Sequence, residues 1–331
     1  VSPKSRTLRE GGGYALGIDL GATKVTAALV DRRGRIVRRS GRLTHSNDGP
    51  EQVIQVVVRA ARRCLREDTR APSMAGIAVA AQVDPATGLV RHAPNLGWRN
   101  VPLGRILSRE LGVPVRVFND ARSATYAEWT RGAGVGCRDL FCLIVGTGVG
   151  GSAVVGGRLL EGGTHAAGEV GHVPIVSGGR RCHCPGRGCF EAYAGGWAIA
   201  ERAQEAVRSD PRAGRAMRAL AGGVEGIRAE TVFDAAGAGD RLARRLVAET
   251  EQYLGDGTVG VVNAFNPSRL LLAGGVISGR PELVHVVARA VRQRCQPPAA
   301  GACVMRARFG ELAPALGAAA LATRPGRTAT S

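Results

Sequence analysis

The chain has 331 residues, 44% of them hydrophobic, and sets 45 Lys and Arg against 27 Asp and Glu, for a formal charge of +18. That length holds two domains with a sizeable core, and the absence of any run of about 18 apolar residues excludes a membrane-spanning helix. The N-terminal stretch lacks the apolar core of a signal peptide, so the expected location is cytoplasmic. The basic charge is almost all arginine, spread from Arg6 to Arg327, with Lys4 and Lys24 the lysines. Its densest clusters, Arg32-Arg33-Gly34-Arg35, Arg38-Arg39 and Arg62-Arg63, fall on an expected hairpin and an expected helix. This distribution favours a solvated surface over a nucleic-acid site. Cys64, Cys137, Cys142, Cys295 and Cys303 are scattered, mostly through apolar segments, as buried reduced thiols are.

In chain order, residues 1–13 read as a flexible tail. Leu16–Leu20, a turn at Gly21–Lys24 and Val25–Val30 give strand, tight turn and strand, and Asp31–Gly34 turns the chain into Arg35–Val37. A helix is expected over Pro50–Arg66, a buried strand over Met74–Val79, a shorter strand over Leu89–His92 and a loop over Ala93–Trp98. Then come a helix over Val101–Leu111, a strand over Val115–Phe118 and a helix over Ala121–Arg131. The plan of the first strands returns at Leu140–Val145, Gly146–Gly151, Ser152–Val155 and Gly156–Arg158, which suggests two similarly built domains. Helices are expected over Tyr193–Arg208, Pro211–Leu220, Ala229–Ala236 and Asp240–Asn263. A strand from Arg269 runs into the glycine turn Gly274-Gly275, followed by a helix over Pro281–Gln293, a strand over Val304–Arg308, a closing helix over Pro314–Ala322 and a tail.

Three stretches carry chemistry. The backbone amides of tight glycine turns converge into anion-binding hollows, and two such turns occur in matched strand contexts: Gly21–Lys24 and Gly146–Gly151. The plain alternative is that these glycines only make hairpins. Asp19, two positions before the first glycine, is placed to hold Mg²⁺ through water beside phosphates. The Walker pattern is absent, which argues against a P-loop fold. Asp120 follows an apolar strand and precedes a helix; there a carboxylate is either a helix cap or a general base. In the third stretch, Cys182, Cys184 and Cys189 lie close together, with His172 upstream and Glu169 and Glu191 on either side. Zn²⁺ takes four tetrahedral nitrogen or sulfur ligands, which His172, Cys182, Cys184 and Cys189 supply, with His183 a rival. Free thiols, or a disulfide within the cluster, are the competing readings.

Gly168-Glu169-Val170-Gly171-His172 followed by Cys-x-Cys-x₄-Cys-x-Glu resembles the signature of the ROK family, bacterial sugar kinases and related repressors. The resemblance runs from Gly17 to about Ala322. It implies an α/β, two-domain actin-like and hexokinase-like ATPase fold, built of duplicated ribonuclease H-like domains around a cleft, with a structural zinc loop. The small domain would comprise residues 14–118 with about 313–323, and the large one residues 119–312, leaving tails at 1–13 and 324–331. By the same resemblance ATP lies at Asp19, Gly21, Ala22, Thr23 and Lys24, at Gly146, Thr147, Gly148 and Gly150, and at Gly274 and Gly275. Sugar is held by Asn95, Asn119, Asp120, Glu169, His172 and Glu191, with Asp120 as general base. His172 is expected to give one ring nitrogen to zinc and turn the other toward the sugar.

The implied activity is ATP-dependent phosphorylation of the 6-hydroxyl of a hexose, glucose first, with Mg²⁺ and a structural Zn²⁺, in a homo-oligomer (dimer or tetramer) without nucleic acid or membrane partners. A kinase for a modified hexose or a cyclitol is the near alternative. A sugar-responsive repressor is disfavoured, because only some fifteen residues precede the first strand and they hold no paired helices. Three positions depart from the family pattern. Ala22 and Pro185 replace usual glycines, and Ala80-Ala81 stands where relatives carry Pro-Gly, in the loop expected near the sugar.

Overall fold

A computed structural model describes residues 13–44, 48–65 and 71–324. Residues 1–12 and 325–331 of the expected tails, and Arg66 at the end of the first expected helix, lie outside the described residues. The chain folds into two compact units. Of the described residues, the first contains 13–131, Gly162–His165 and 312–324; the second contains Gly132–Glu161 and Ala166–Glu311.

The first unit opens with β1 (Tyr14–Leu20), β2 (Lys24–Asp31) and β3 (Ile36–Leu43), a meander of antiparallel strands. β3 runs further than Arg35–Val37: Arg38, Arg39 and Arg42 belong to it, on a sheet edge where charge is tolerated. Helix α1 (Gly49–Leu65) buries Val53, Ile54, Val57, Val58, Ala60 and Ala61, spaced for a single face. β4 (Met74–Val79) follows, and β5 (Gln82–Asp84), β6 (Leu89–Ala93) and β7 (Trp98–Val101) form a small sheet of their own. α2 (Leu103–Leu111), β8 (Val115–Asn119) and α3 (Asp120–Arg131) complete this stretch. The main sheet is ordered β3-β2-β1-β4-β8, with β1, β4 and β8 parallel. Its core is aliphatic, centred on Leu16, Ile18, Leu29, Ile77 and Val117.

The second unit is built on a five-stranded sheet of its own. β9 (Leu140–Val145), β10 (Val149–Val155) and β11 (Arg158–Leu159) are antiparallel neighbours. Helices α4 (Glu191–Ala194), α5 (Gly196–Ser209), α6 (Arg215–Ala221), α7 (Ala229–Gly237) and α8 (Arg241–Phe265) follow the cysteine segment. The single helix expected over Tyr193–Arg208 is thus two, broken at the extended residue Gly195. Asp240 caps α8 by accepting from the Ala243 amide at 2.8 Å, one orphan donor satisfied. β12 (Arg269–Ala273), α9 (Gly275–Gly279), α10 (Leu283–Arg294) and β13 (Cys303–Arg306) complete the unit. Its sheet is ordered β11-β10-β9-β12-β13, with β9, β12 and β13 parallel.

The last helix, α11 (Ala313–Ala322), returns to the first unit and packs on β1, β4 and α3. The approach is backbone to backbone: a Cβ on Gly17 or Gly76 would run into the carbonyls of Ala315 and Ala318. This packing keeps α3 in the first unit, so the boundary expected at residue 119 falls after Arg131. No helix among the described residues is long and apolar enough to cross a membrane.

Candidate active site and metal centre

Parallel pairing in the first unit lines up the C-terminal ends of three strands. Leu20 of β1 is level with Val79 of β4, which is level with Asn119 of β8. Open α/β sheets bind ligands at this edge. Asp19, Gly21–Lys24, Ala80-Ala81 and Asn119-Asp120 therefore gather at one sheet edge. The first glycine turn is closed by the Gly21 amide donating to the Lys24 carbonyl at 2.9 Å. Thr44 braces it: its amide donates to the Thr23 carbonyl at 2.9 Å and its hydroxyl to the Gly21 carbonyl at 3.0 Å. Ala22 is outside the left-handed region, which among described non-glycine residues holds Asn100, His165 and Asn266. The methyl group at position 22 therefore strains no backbone.

Asp120 does not cap the helix that it begins. Asn119 Oδ1 accepts the Arg122 amide at 3.0 Å, so Asn119 caps α3 and Asp120 is the first helical residue. The Asn119 side-chain amide also donates to the Ala81 carbonyl at 3.4 Å, tying the departure at Ala80-Ala81 to the end of β8. Burial pushes the Asp120 carboxyl above the ordinary carboxylate range, while the amides of Ala121 and of Asp120 itself pull the other way. Asn95 sits in the exposed middle of a 3-10 turn, Pro94–Leu96, pinned by buried Leu96 and Trp98.

In the second unit, Val145 ends β9 and Ala273 of β12 pairs with Ile144, so the turns at Gly146 and Gly274-Gly275 emerge side by side. The first of these turns is shorter than expected. Gly146 donates to the Gly148 carbonyl at 2.9 Å and Val149 already pairs with Val145, so Gly150 lies within β10, opposite Ile144. The start of α5 is fastened to this turn, with Gly196 donating to the Gly146 carbonyl at 2.9 Å and Trp197 to the Thr147 carbonyl at 3.0 Å. Glu191, at the start of α4, accepts the Val149 amide on Oε2 at 2.8 Å.

The cysteine segment is seated on β10. A Cβ at Gly171 would collide with the Val149 carbonyl, and one at Gly168, whose φ is 99°, would collide with the Gly151 carbonyl. Both glycines of the Gly-Glu-x-Gly-His motif thus let one backbone lie against another, which carries Glu169 and His172 up to the hairpin. The metal-binding atoms of His172, Cys182, Cys184 and Cys189 all lie within 4.8 Å of one another. Cys182 Sγ is 3.7 Å from His172 Nδ1, and Cys184 Sγ is 3.6 Å from Cys189 Sγ. Tetrahedral zinc with bonds of about 2.0–2.3 Å sets its ligand atoms roughly 3.5–3.8 Å apart. The residues present therefore fit the ion, and Nδ1 as the ligating nitrogen leaves Nε2 of His172 outward. His183 is outside the set; its ring stacks on Trp197. Pro185 removes no ligand, and the next amide, Gly186, donates to Cys184 Sγ at 3.3 Å. Burial pushes the Cys189 thiol up to about 12, with its hydrogen bond to Cys184 adding to the effect. A bound cation reverses this preference and takes the thiolates.

Sequence reasoning missed the residues behind this segment. Arg180 forks onto Glu205 at 2.7 Å and Glu201 at 2.8 Å on α5, and its amide donates to the Tyr193 hydroxyl at 2.8 Å. These arginine and glutamate contacts carry no short-range spacing that would reveal them.

Comparisons with known proteins identify the family. The model of the ROK family matches residues 15–325. A glucokinase of Streptomyces coelicolor is 32% identical over 322 residues, covering 95% of this chain and 98% of that protein. A glucokinase of Halalkalibacterium halodurans is 34% identical over 267 residues, 80% of each chain. The crystal structure of a ROK family glucokinase from Streptomyces griseus, in complex with glucose and AMPPNP, superposes with a TM-score of 0.82 at 31% identity, covering 94% of this chain and 99% of that one. With the family model spanning nearly the whole chain and the α/β sheets matching those of a solved member, this chain belongs to the ROK family.

Proposed function

We propose that this chain is an ATP-dependent sugar kinase that phosphorylates the 6-hydroxyl of a hexose, with glucose the first candidate. The observation that supports this most is the placement of Asp120. It stands at the ligand-binding edge of a parallel sheet, is relieved of capping by Asn119, and has a carboxyl of raised proton affinity. A general base works best when its pKa lies near the operating pH. The similarity to glucokinases over most of the chain gives the substrate class.

In this reading Asp120 accepts the proton of the primary hydroxyl as its oxygen attacks the γ-phosphorus of ATP and the bond from that phosphorus to the β,γ-bridging oxygen breaks, with ADP as the leaving group. Asn95, Asn119, Glu169, Glu191 and Nε2 of His172 hold the remaining sugar hydroxyls. Phosphoryl transfer depends on positioning and charge stabilisation. That work falls to the amides of Ala22 and Thr23 with the Lys24 ammonium, and to those of Thr147 and Gly148, while Gly21 and Gly146 close the turns with their own amides and Gly150, Gly274 and Gly275 let the backbone come close to the nucleotide. Asp19 is the residue that would hold Mg²⁺ through water, and the ion supplies charge neutralisation at the phosphates. His172, Cys182, Cys184 and Cys189 would hold Zn²⁺ as a structural staple with no open position.

Ala81, whose carbonyl is fixed by Asn119, adds a methyl group where relatives carry glycine, and favours a reshaped acceptor pocket as the variant reading. A modified hexose or a cyclitol would then be the acceptor, served by the same base. A panel of hexoses, amino sugars, N-acetylhexosamines and cyclitols with ATP, read by ADP release and ³¹P resonance, separates these. Turnover of one class of acceptor supports the kinase reading and names the substrate; no turnover on the whole panel defeats it.

A further inference from the structure

Behind the metal centre lies a connected set of contacts that the ligand and catalytic roles do not use. His183, between two of the metal cysteines, stacks face to face on Trp197, with centroids 3.9 Å apart and planes 19° from parallel. The indole N–H of Trp197 donates to Glu191 Oε1 at 3.2 Å. The other carboxylate oxygen, Oε2, is taken by the Val149 amide of the second glycine hairpin at 2.8 Å. The backbone of Trp197 is itself bonded to that hairpin through the Thr147 carbonyl at 3.0 Å.

An ionised carboxylate offers roughly four acceptor directions. Two donors on different elements, one to each oxygen, fix its plane and leave the other two directions for a ligand. We propose that Trp197 is a positioning residue for Glu191: held against His183 of the metal loop, it aims the carboxylate that receives the sugar and so makes sugar affinity depend on the metal loop being folded. This rests on the kinase reading above for its account of the ligand, but not for the contact chain itself.

Two variants separate the links. Trp197→Phe keeps a ring for His183 but removes the N–H, and His183→Ala keeps the N–H but removes the stack. Losing a hydrogen bond to a charged group raises KM for the sugar by about tenfold or more in Trp197→Phe, with kcat within about twofold. Zinc content per chain stays at the parent value in both variants. A purely structural tryptophan would instead lower the melting temperature without splitting KM from kcat.

The second readout needs no activity. Trp98 and Trp129 lie in the other unit, so tryptophan emission that shifts on chelation in the parent reports Trp197. That shift is expected to vanish in Trp197→Phe and to shrink in His183→Ala. A parent inactive on every sugar refutes the kinase reading and leaves the emission arm to judge the contact chain. In an active parent, a Trp197→Phe variant with unchanged KM overturns the proposal. A chelation-induced shift that persists in Trp197→Phe overturns it as well.

Discussion

Phe190 lies between Cys189 of the candidate metal cluster and Glu191 and is 1% exposed, with its ring lying against α8. What admits the ring is the missing side chain at Gly257: a Cβ there would be 2.5 Å from Cδ2 and Cε2 and 2.6 Å from Cδ1. Carbon atoms rest at about 3.5–4.0 Å, so Gly257→Ala drives the ring away by roughly 1 Å. The gap is across the ring face, so a rotation about its own axis gives no relief. Overpacking of this kind costs about 1–3 kcal/mol, offset by about 1 kcal/mol of helix propensity, for a net loss of up to about 2 kcal/mol. The larger consequence is positional. A shift of about 1 Å handed to Glu191 is expected to lower kcat/KM by ten- to a hundredfold. Gly260, one turn along α8, meets nothing within 4 Å and is exposed, so Gly260→Ala should stabilise by about 0.5–1 kcal/mol with kinetics intact. Thermal unfolding and steady-state kinetics on both variants test this. Equal behaviour of the two alanine variants would refute the claim that Phe190 carries the metal loop and Glu191 as one piece.

Metal, pH and capping give three more tests. Chelation should release one zinc per chain and abolish sugar binding while leaving the far-UV dichroism of the sheets; a stripped protein that binds sugar normally contradicts the staple. Because the Asp120 carboxyl is pushed upward, kcat/KM should fall on the acid side through a pKa above the ordinary carboxylate range, a limb absent from a carboxylate in water. The stability sign is opposite to that of a salt-bridged aspartate. With a raised native pKa the folded chain binds the proton more tightly, so this contribution is full below the unfolded pKa and is lost as pH rises through the native one. Hence Asp120→Asn at neutral pH should melt no lower than the parent, which calorimetry checks. Asn119→Ala removes the cap of α3 and the hold on Ala81, and should cost about 1 kcal/mol in denaturant unfolding while raising sugar KM.

The candidate residues were legible because each set is local in sequence. The glycine turns follow apolar strands, and the cysteines are compressed around one loop. The positions of Asp19 and Asp120 at strand ends could be read from hydrophobic runs alone. What was hidden is non-local. The helix expected over Tyr193–Arg208 breaks at Gly195 because the next two amides turn to carbonyls of Gly146 and Thr147, far away in the chain. β7 escaped notice because Trp-Arg-Asn-Val is too short to alternate convincingly and Asn100 takes φ of 53°. Asn119 and Asp120 are both good caps, and only the Arg122 amide, which donates to Asn119 Oδ1, assigns the cap to the first. The link from Val149 through Glu191 to Trp197 and His183 joins three elements and leaves no periodic trace.

Phosphoryl transfer in the proposed kinase turns on one proton acceptor. The direct measurement is Asp120→Asn assayed for phosphate transfer from ATP to the best acceptor of the panel, alongside calorimetric titration of that sugar. We expect turnover to fall by at least about a hundredfold while sugar affinity stays within a few-fold of the parent. A variant that still transfers phosphate at the parental rate would contradict the assignment of Asp120 as the base.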